Sequence, residues 1–207
     1  MANFFASGLA NLREKLGPIL WQFPPNFKYD VELVDRFLGM LPRDTAQASE
    51  LARRHDDKVA GRAQLDFGPV RALRHAMEVR HETFEDPSFI ALLRKHKVAF
   101  VIADTAGRWP EYEDITSDFV YIRLHGDEKL YTSNYMEAAI ARWAERIRLW
   151  SAGNEPPDSR RISAQPAPPR RARDVFCYFD NTDKVHAPMN ARRLLNKLDV
   201  SWSPPEP

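Results

Sequence analysis

Phe119-Val120-Tyr121-Ile122-Arg123-Leu124-His125-Gly126 is the stretch that decides the fold class. Its apolar start predicts a strand over 119–124 with apolar residues on both faces, as in a parallel sheet covered by helices. Basic Arg123, titratable His125 and permissive Gly126 then crowd the carboxyl end. In parallel α/β folds ligands sit beyond the carboxyl ends of the strands, so polar groups gathered there mark where a site is expected.

Working outward, Val98 to Ala103 reads as another fully apolar strand, Val175 to Phe179 as a third, and Ile19-Leu20-Trp21 and Ala76 to Arg80 as two more. Helical spacing intervenes. Leu9, Leu12 and Leu16 suggest a helix over 7–16, broken at Gly17-Pro18. Asp30 is suited to cap a helix bearing Leu33, Val34, Phe37, Leu38 and Leu41 and stopped at Pro42, and a further one is expected around Ala46 to His55. Asp86-Pro87 opens another as cap and first helical residue. Asn134 and Glu137 have capping-box spacing, with a stripe of Met136, Ile140, Trp143, Ile147 and Trp150. The last helix is expected over Pro188 to Leu198. Strand and helix alternate, the grammar of a parallel α/β fold that is either a small open sheet or most of a barrel. The whole chain reads as one domain, with an insertion over 43–74 and a Pro/Arg-rich loop over 151–173. A loop that long reads as a flexible excursion, with a basic surface for an anionic polymer as its rival.

Composition excludes several classes. Lys plus Arg number 30 against 29 Asp plus Glu, so no global field steers the chain to nucleic acid. Cys177 is the single cysteine, which rules out an internal disulfide and points to a reducing, cytoplasmic setting. No run approaches the ~20 apolar residues of a membrane span, and Met1 to Phe23 does not have the form of a signal peptide.

Residues two apart on a strand share a face, so Glu78 pairs with Arg80, Arg123 with His125, and Tyr178 with Asp180. Gln22, His81, Asp104 and Asn181 stand at or just past strand ends. Every expected strand therefore delivers polar groups at its carboxyl end. Two chemistries fit. In the first, His125 and Glu78 act as general base and acid while Arg80 and Arg123 hold a phosphate or carboxylate. In the second, Glu78, His81, Asp104 and His125 include ligands of a divalent metal, although no pair has a diagnostic short spacing. A purely structural reading competes: Glu78 and Arg123 as a buried ion pair, His81 as a cap, Asp104 as a loop cap. His55, His75, His96 and His186 read as ordinary surface residues. No phosphate-binding loop, dinucleotide fingerprint, serine-hydrolase elbow or zinc motif is present, and no cofactor is implied.

Leu16-Gly17-Pro18-Ile19-Leu20-Trp21-Gln22-Phe23-Pro24-Pro25, Glu78-Val79-Arg80-His81, the octet above, and Tyr178-Phe179-Asp180-Asn181 followed by Ala187-Pro188-Met189-Asn190-Ala191 resemble the YecE-like family, domain of unknown function seventy-two. The resemblance implies a TIM-type (β/α) barrel of unestablished activity. It also implies a partial barrel, five of eight strand–helix units, because family members carry roughly three further units ahead of the Gly17-Pro18 strand. Asp180 stands where the family usually has Asn. A partial barrel leaves unpaired edges, and oligomerisation through them is expected. The reading is thus an uncharacterised family member with a small-molecule or phosphate-ester site at the strand ends. Its rivals are a non-catalytic binding module or inactive remnant, and a nucleic-acid-associated protein using the 157–173 arginines.

Overall fold

The computed structural model describes residues 1–126, 134–181 and 186–201. Strands β1 (Ile19–Gln22), β2 (His75–Glu78), β3 (Ala99–Asp104), β4 (Phe119–Leu124) and β5 (Asp174–Phe179) form one parallel sheet in chain order. Helices α1 (Ala2–Ala6), α2 (Val31–Gly39), α3 (Thr45–Ala52), α4 (Pro87–Lys95), α5 (Glu137–Ser151) and α6 (His186–Lys197) lie between and around them. Parallel strands in chain order, three of their four connections helical, are five consecutive strands of a partial TIM-type barrel.

Local signals largely hold. The Asp86 carboxylate accepts from the Ser88 amide at 2.7 Å and Pro87 opens α4. Three expectations are corrected. No capping box forms at Asn134: α5 begins at Glu137 behind Met136, which makes no side-chain cap bond. The Glu137 carboxylate is drawn instead to Arg193 (2.8 Å) and Lys197 (2.6 Å) of α6. Residues 9–15 wind as a 3-10 helix kinked at Arg13. Residues 105–118, which join β3 to β4, contain no helix, so the strand–helix alternation skips one step.

The chain divides into two compact units, Met1–Trp21 with Glu32–Ala76 and Gln22–Val31 with Met77–Pro207. In the first, α1 packs on α3 around buried Phe5, Ala6, Ala48, Ala52 and Phe67. Asp44 caps α3, accepting from the Gln47 amide at 2.8 Å. His75 is no surface residue. It is 1% exposed, accepts at Nδ1 from the Trp21 indole (3.1 Å) and reaches the Pro42 carbonyl with Nε2 (2.7 Å). With Nδ1 accepting, the proton sits on Nε2 and the ring is neutral. Burial drives its pKa from 6.5 down to about 4, outweighing the help from the Pro42 carbonyl.

A depressed histidine pKa means that the unfolded chain binds the proton more readily. The neutral ring's contribution is therefore intact above pH 6.5 and is lost as pH falls toward 4, at ~1.4 kcal/mol per pH unit across that window. Urea unfolding at pH 7, 5.5 and 4 should show this slope in the native chain. His75→Gln should flatten it, and an unchanged slope in the variant would assign the acid sensitivity elsewhere.

In the second unit the side chains of Ile122 and Leu124 turn toward α5, where Ile140, Trp143 and Trp150 are completely buried. The Pro/Arg-rich segment is not a loose excursion. The Asp114 carboxylate accepts from the amides of Ile162 (2.7 Å) and Ser163 (3.0 Å). Arg160 lies over the Tyr112 ring at 4.6 Å, and Arg161 reaches Glu155 at 3.5 Å. Buried Arg146 of α5 ties Glu113 (2.9 Å) to Asp158 (2.8 Å). Gly153 takes φ +82°, and a Cβ there would collide with the Arg170 carbonyl. The segment is thereby clamped to the helix-free 105–118 crossover.

Candidate functional site

Register places the strand-end residues. β4 pairs with β5 so that Tyr121 stands beside Phe176 and Arg123 beside Tyr178. β3 pairs with β4 so that Ala103 stands beside Arg123 and Asp104 beside Leu124. Paired residues in a parallel ladder point to the same face. One face thus carries Tyr121, Arg123 and Tyr178, with Tyr121 and Tyr178 stacked at 5.0 Å. The other carries Leu124 and Asp104.

Arg123 is the hub of the first face. Its Nη1 donates to the Gln22 amide oxygen at 2.7 Å and to Glu78 Oε2. Its Nε and Nη2 both reach Asp180 Oδ2 at 2.8 Å. Glu78, 1% exposed, is shared: its other oxygen accepts from Arg80 Nε at 2.9 Å. Arg80 in turn lies over the Trp109 ring, 4.1 Å from its centroid. Burial opposes charge on Arg123, but Glu78 and Asp180 outweigh it and hold the guanidinium above its ordinary value. Two guanidinium groups and two carboxylates balance, so this face carries a compact, neutral, directional network.

His125 continues the same face. Its ring is 1% exposed, with Nδ1 3.9 Å from Asp180 Oδ2, and its amide donates to the Asp104 carbonyl at 2.9 Å. Burial first, then the charge of Arg123, pushes its pKa below the ordinary value. The imidazole is neutral at pH 7 and suited to take a proton. Gly126 adopts φ +135°, a conformation L side chains avoid, and donates its amide to Tyr135 Oη at 3.1 Å.

The predicted residues therefore separate. Gln22, Glu78, Arg80, Arg123 and His125 converge. Asp104 lies on the helix side, where its carboxylate accepts from Tyr135 Oη (3.1 Å) and stands 4.0 Å from Arg142 of α5. Glu111, pushed up to about 7 by burial and by Asp104, shares that environment. Asn181 is completely buried just past the end of β5. His81 caps a 3-10 turn: its Nδ1 accepts from the Thr83 amide at 3.2 Å. The metal-ligand set of Glu78, His81, Asp104 and His125 is thus dispersed, and no group of three or more His, Cys, Asp or Glu among the described residues could hold a metal ion.

Sequence reasoning placed Asp180 on a shared face with Tyr178 but gave it no role, and it missed two further participants. The two-residue period alone gives the Tyr178–Asp180 pair, but not that Asp180 would meet Arg123. Trp109 lies in a crossover without periodicity, and Tyr135 precedes its helix; neither carries a local signal. Among the described residues, no helix is long and apolar enough to cross a membrane.

A family model described as "Protein of unknown function DUF72" matches residues 1–207. The fold is similar to the crystal structure of a DUF72 family protein from Thermotoga maritima: 20% identity, TM-score 0.55, 87% of this chain and 56% of that chain covered. It is also similar to two crystal structures of a DUF72 family protein from Enterococcus faecalis. Identity there is 18% and 20%, with TM-scores of 0.57 and 0.59; 92% and 97% of this chain match 61% and 69% of those chains. This chain thus spans less than two thirds of the first two solved relatives. No curated protein matches it.

Proposed function

We propose that this chain, which belongs to the DUF72 family, binds a small anionic molecule, a phosphate ester or a carboxylate, at the carboxyl ends of its strands. The observation that carries the reading is the way Asp180 meets Arg123. One carboxylate oxygen takes both Nε and Nη2 at 2.8 Å, from a side chain that is 32% exposed at the rim. That is how a guanidinium receives an oxyanion, and the Asp180 carboxylate stands where a ligand's oxyanion would sit. A ligand would bind by displacing Asp180, while Glu78 keeps Arg123 and Arg80 oriented from beneath. Tyr178, 42% exposed beside Arg123, offers a ring face to the rest of the ligand. Both oxygens of Glu78 are engaged by arginine, which makes it an orienting group. The neutral imidazole of His125 is the group left to accept a proton from a bound ligand.

Calorimetric titration with inorganic phosphate tests this. Asp180→Asn removes the internal competitor and should bind phosphate about 10-fold more tightly than the native chain. Arg123→Gln should weaken binding by about the same factor. Equal affinities in all three proteins would dismiss the site. If phosphate binds as expected but no phosphate ester is turned over, and His125→Asn changes nothing, the chain is a binding module without catalysis.

A further inference from the structure

The strand-end network leaves unused one exposed segment of the second unit, just ahead of β5. It reads Gln165-Pro166-Ala167-Pro168-Pro169-Arg170-Arg171. Each proline fixes its own φ at about −65°, and the residue ahead of each is pressed into the extended region. Every residue from Gln165 to Pro169 falls under one restriction or the other. The three X–Pro bonds are trans, and no turn, bend or helix interrupts 166–170. These constraints make the segment a short polyproline II helix, with three residues per turn and no internal hydrogen bonds.

That period sorts its residues into three files. Ala167 and Arg170 form the file turned inward. Ala167 is half-buried against the core beneath α5, and its amide donates to Glu155 Oε2 at 2.9 Å. The Arg170 carbonyl lies against Gly153. The Pro168 carbonyl accepts from buried Arg173 at 2.6 Å, and the Gln165 carbonyl from Arg94 of α4 at 3.2 Å. Pro166 and Pro169 form the second file; Gln165, Pro168 and Arg171 form the third, and all of these are exposed. Backbone anchors thus hold the segment from behind while its proline rings face water.

We infer that residues 165–171 dock a partner protein bearing an aromatic-lined groove that ends in an acidic pocket, the recognition surface of SH3-type domains. The rings of Pro166 and Pro169, one turn apart on one face, fill the groove. Arg171, two residues beyond Pro169, enters the acidic pocket. A segment already ordered by its prolines and its anchors loses little conformational freedom on binding. An anionic polymer would draw on the arginines alone and leave the proline rings without a role.

Calorimetric titration of the intact chain with an isolated SH3 domain of the class that takes Pro-x-x-Pro-x-Arg tests this, at about 0.15 M salt. The domain should bind, and Pro166→Ala and Pro169→Ala should each weaken it at least about 10-fold. Arg171→Glu should do the same, whereas Arg170→Glu, on the inward file, should change affinity by no more than about 2-fold. None of these positions touches the strand-end network, so phosphate binding should be unchanged in all four variants. Absence of binding overturns the proposal. So does binding that ignores both proline substitutions, or that falls equally in Arg170→Glu and Arg171→Glu, the behaviour of a basic patch attracting an anionic polymer.

Discussion

Glu78→Ala is expected to cost about 3–5 kcal/mol of folding stability, the range for removing one partner of a buried ion pair. Glu78 is 1% exposed, while the side chains of Arg80 and Arg123 are 11% and 16% exposed. Removing the shared carboxylate strands two guanidinium groups where water reaches them poorly, leaving Arg123 with only Asp180 as a charged partner. The loss should appear in urea unfolding as a lower midpoint at unchanged slope. Asp180→Asn is the internal contrast. Its carboxylate is 32% exposed, so it should cost no more than about 1 kcal/mol. If Glu78→Ala proves as mild as Asp180→Asn, Glu78 is solvated and the network under the proposed anion site is not what orients Arg123. A large loss in Glu78→Ala, together with weaker phosphate binding in whatever fraction stays folded, separates orientation from mere stability.

Arg146→Ala is the second large effect, again about 3–5 kcal/mol, and its pH dependence has a definite sign. Arg146 is 6% exposed and Glu113 3% exposed, at 2.9 Å. Burial already pushes Glu113 above the usual carboxylate range even with Arg146 beside it. Without the arginine, folded Glu113 holds its proton more firmly than the unfolded chain does. A carboxyl group with a raised folded pKa contributes its stability at low pH and loses it as pH rises through the folded value. The variant should therefore lie closest to the native chain near pH 5 and farthest from it near pH 8. The same change unties Asp158, so hydrogen exchange at the Ile162 and Ser163 amides should accelerate ahead of exchange in β4. A pH-independent loss would mean that Glu113 is not the stranded charge.

These two arginines show where reading the chain succeeds and where it stops. The strand over 119–124, its parallel setting and the sharing of a face by Arg123 and His125 all follow from apolar runs and a two-residue period. Those are properties of neighbours in the chain. Arg123 is satisfied by partners 45, 57 and 101 residues away, and no local pattern says which carboxylate meets which guanidinium. The Pro/Arg content of 151–173 suggests looseness, yet Asp114 and Arg146, lying outside that stretch, clamp it. His75 sits in a polar neighbourhood of sequence, but its strand carries it under Trp21 and Pro42.

Asp104 and Arg123 mark the boundary most clearly. Along the chain they are equivalent, each a polar residue at the carboxyl end of an apolar strand, and the sequence alone assigns both to one candidate site. The hydrogen-bond register sets Asp104 beside Leu124 and Ala103 beside Arg123, which turns the two side chains to opposite faces. Alternation within a strand is dictated by the backbone pleat and can be read residue by residue. Which residue of one strand stands beside which of the next depends on the summed packing of both faces, and a shift of one position reverses every assignment. The octet from Phe119 to Gly126 therefore carried the fold class and the position of the candidate site. Its membership, with Asp180 in and Asp104 out, is a consequence of how the strands pair.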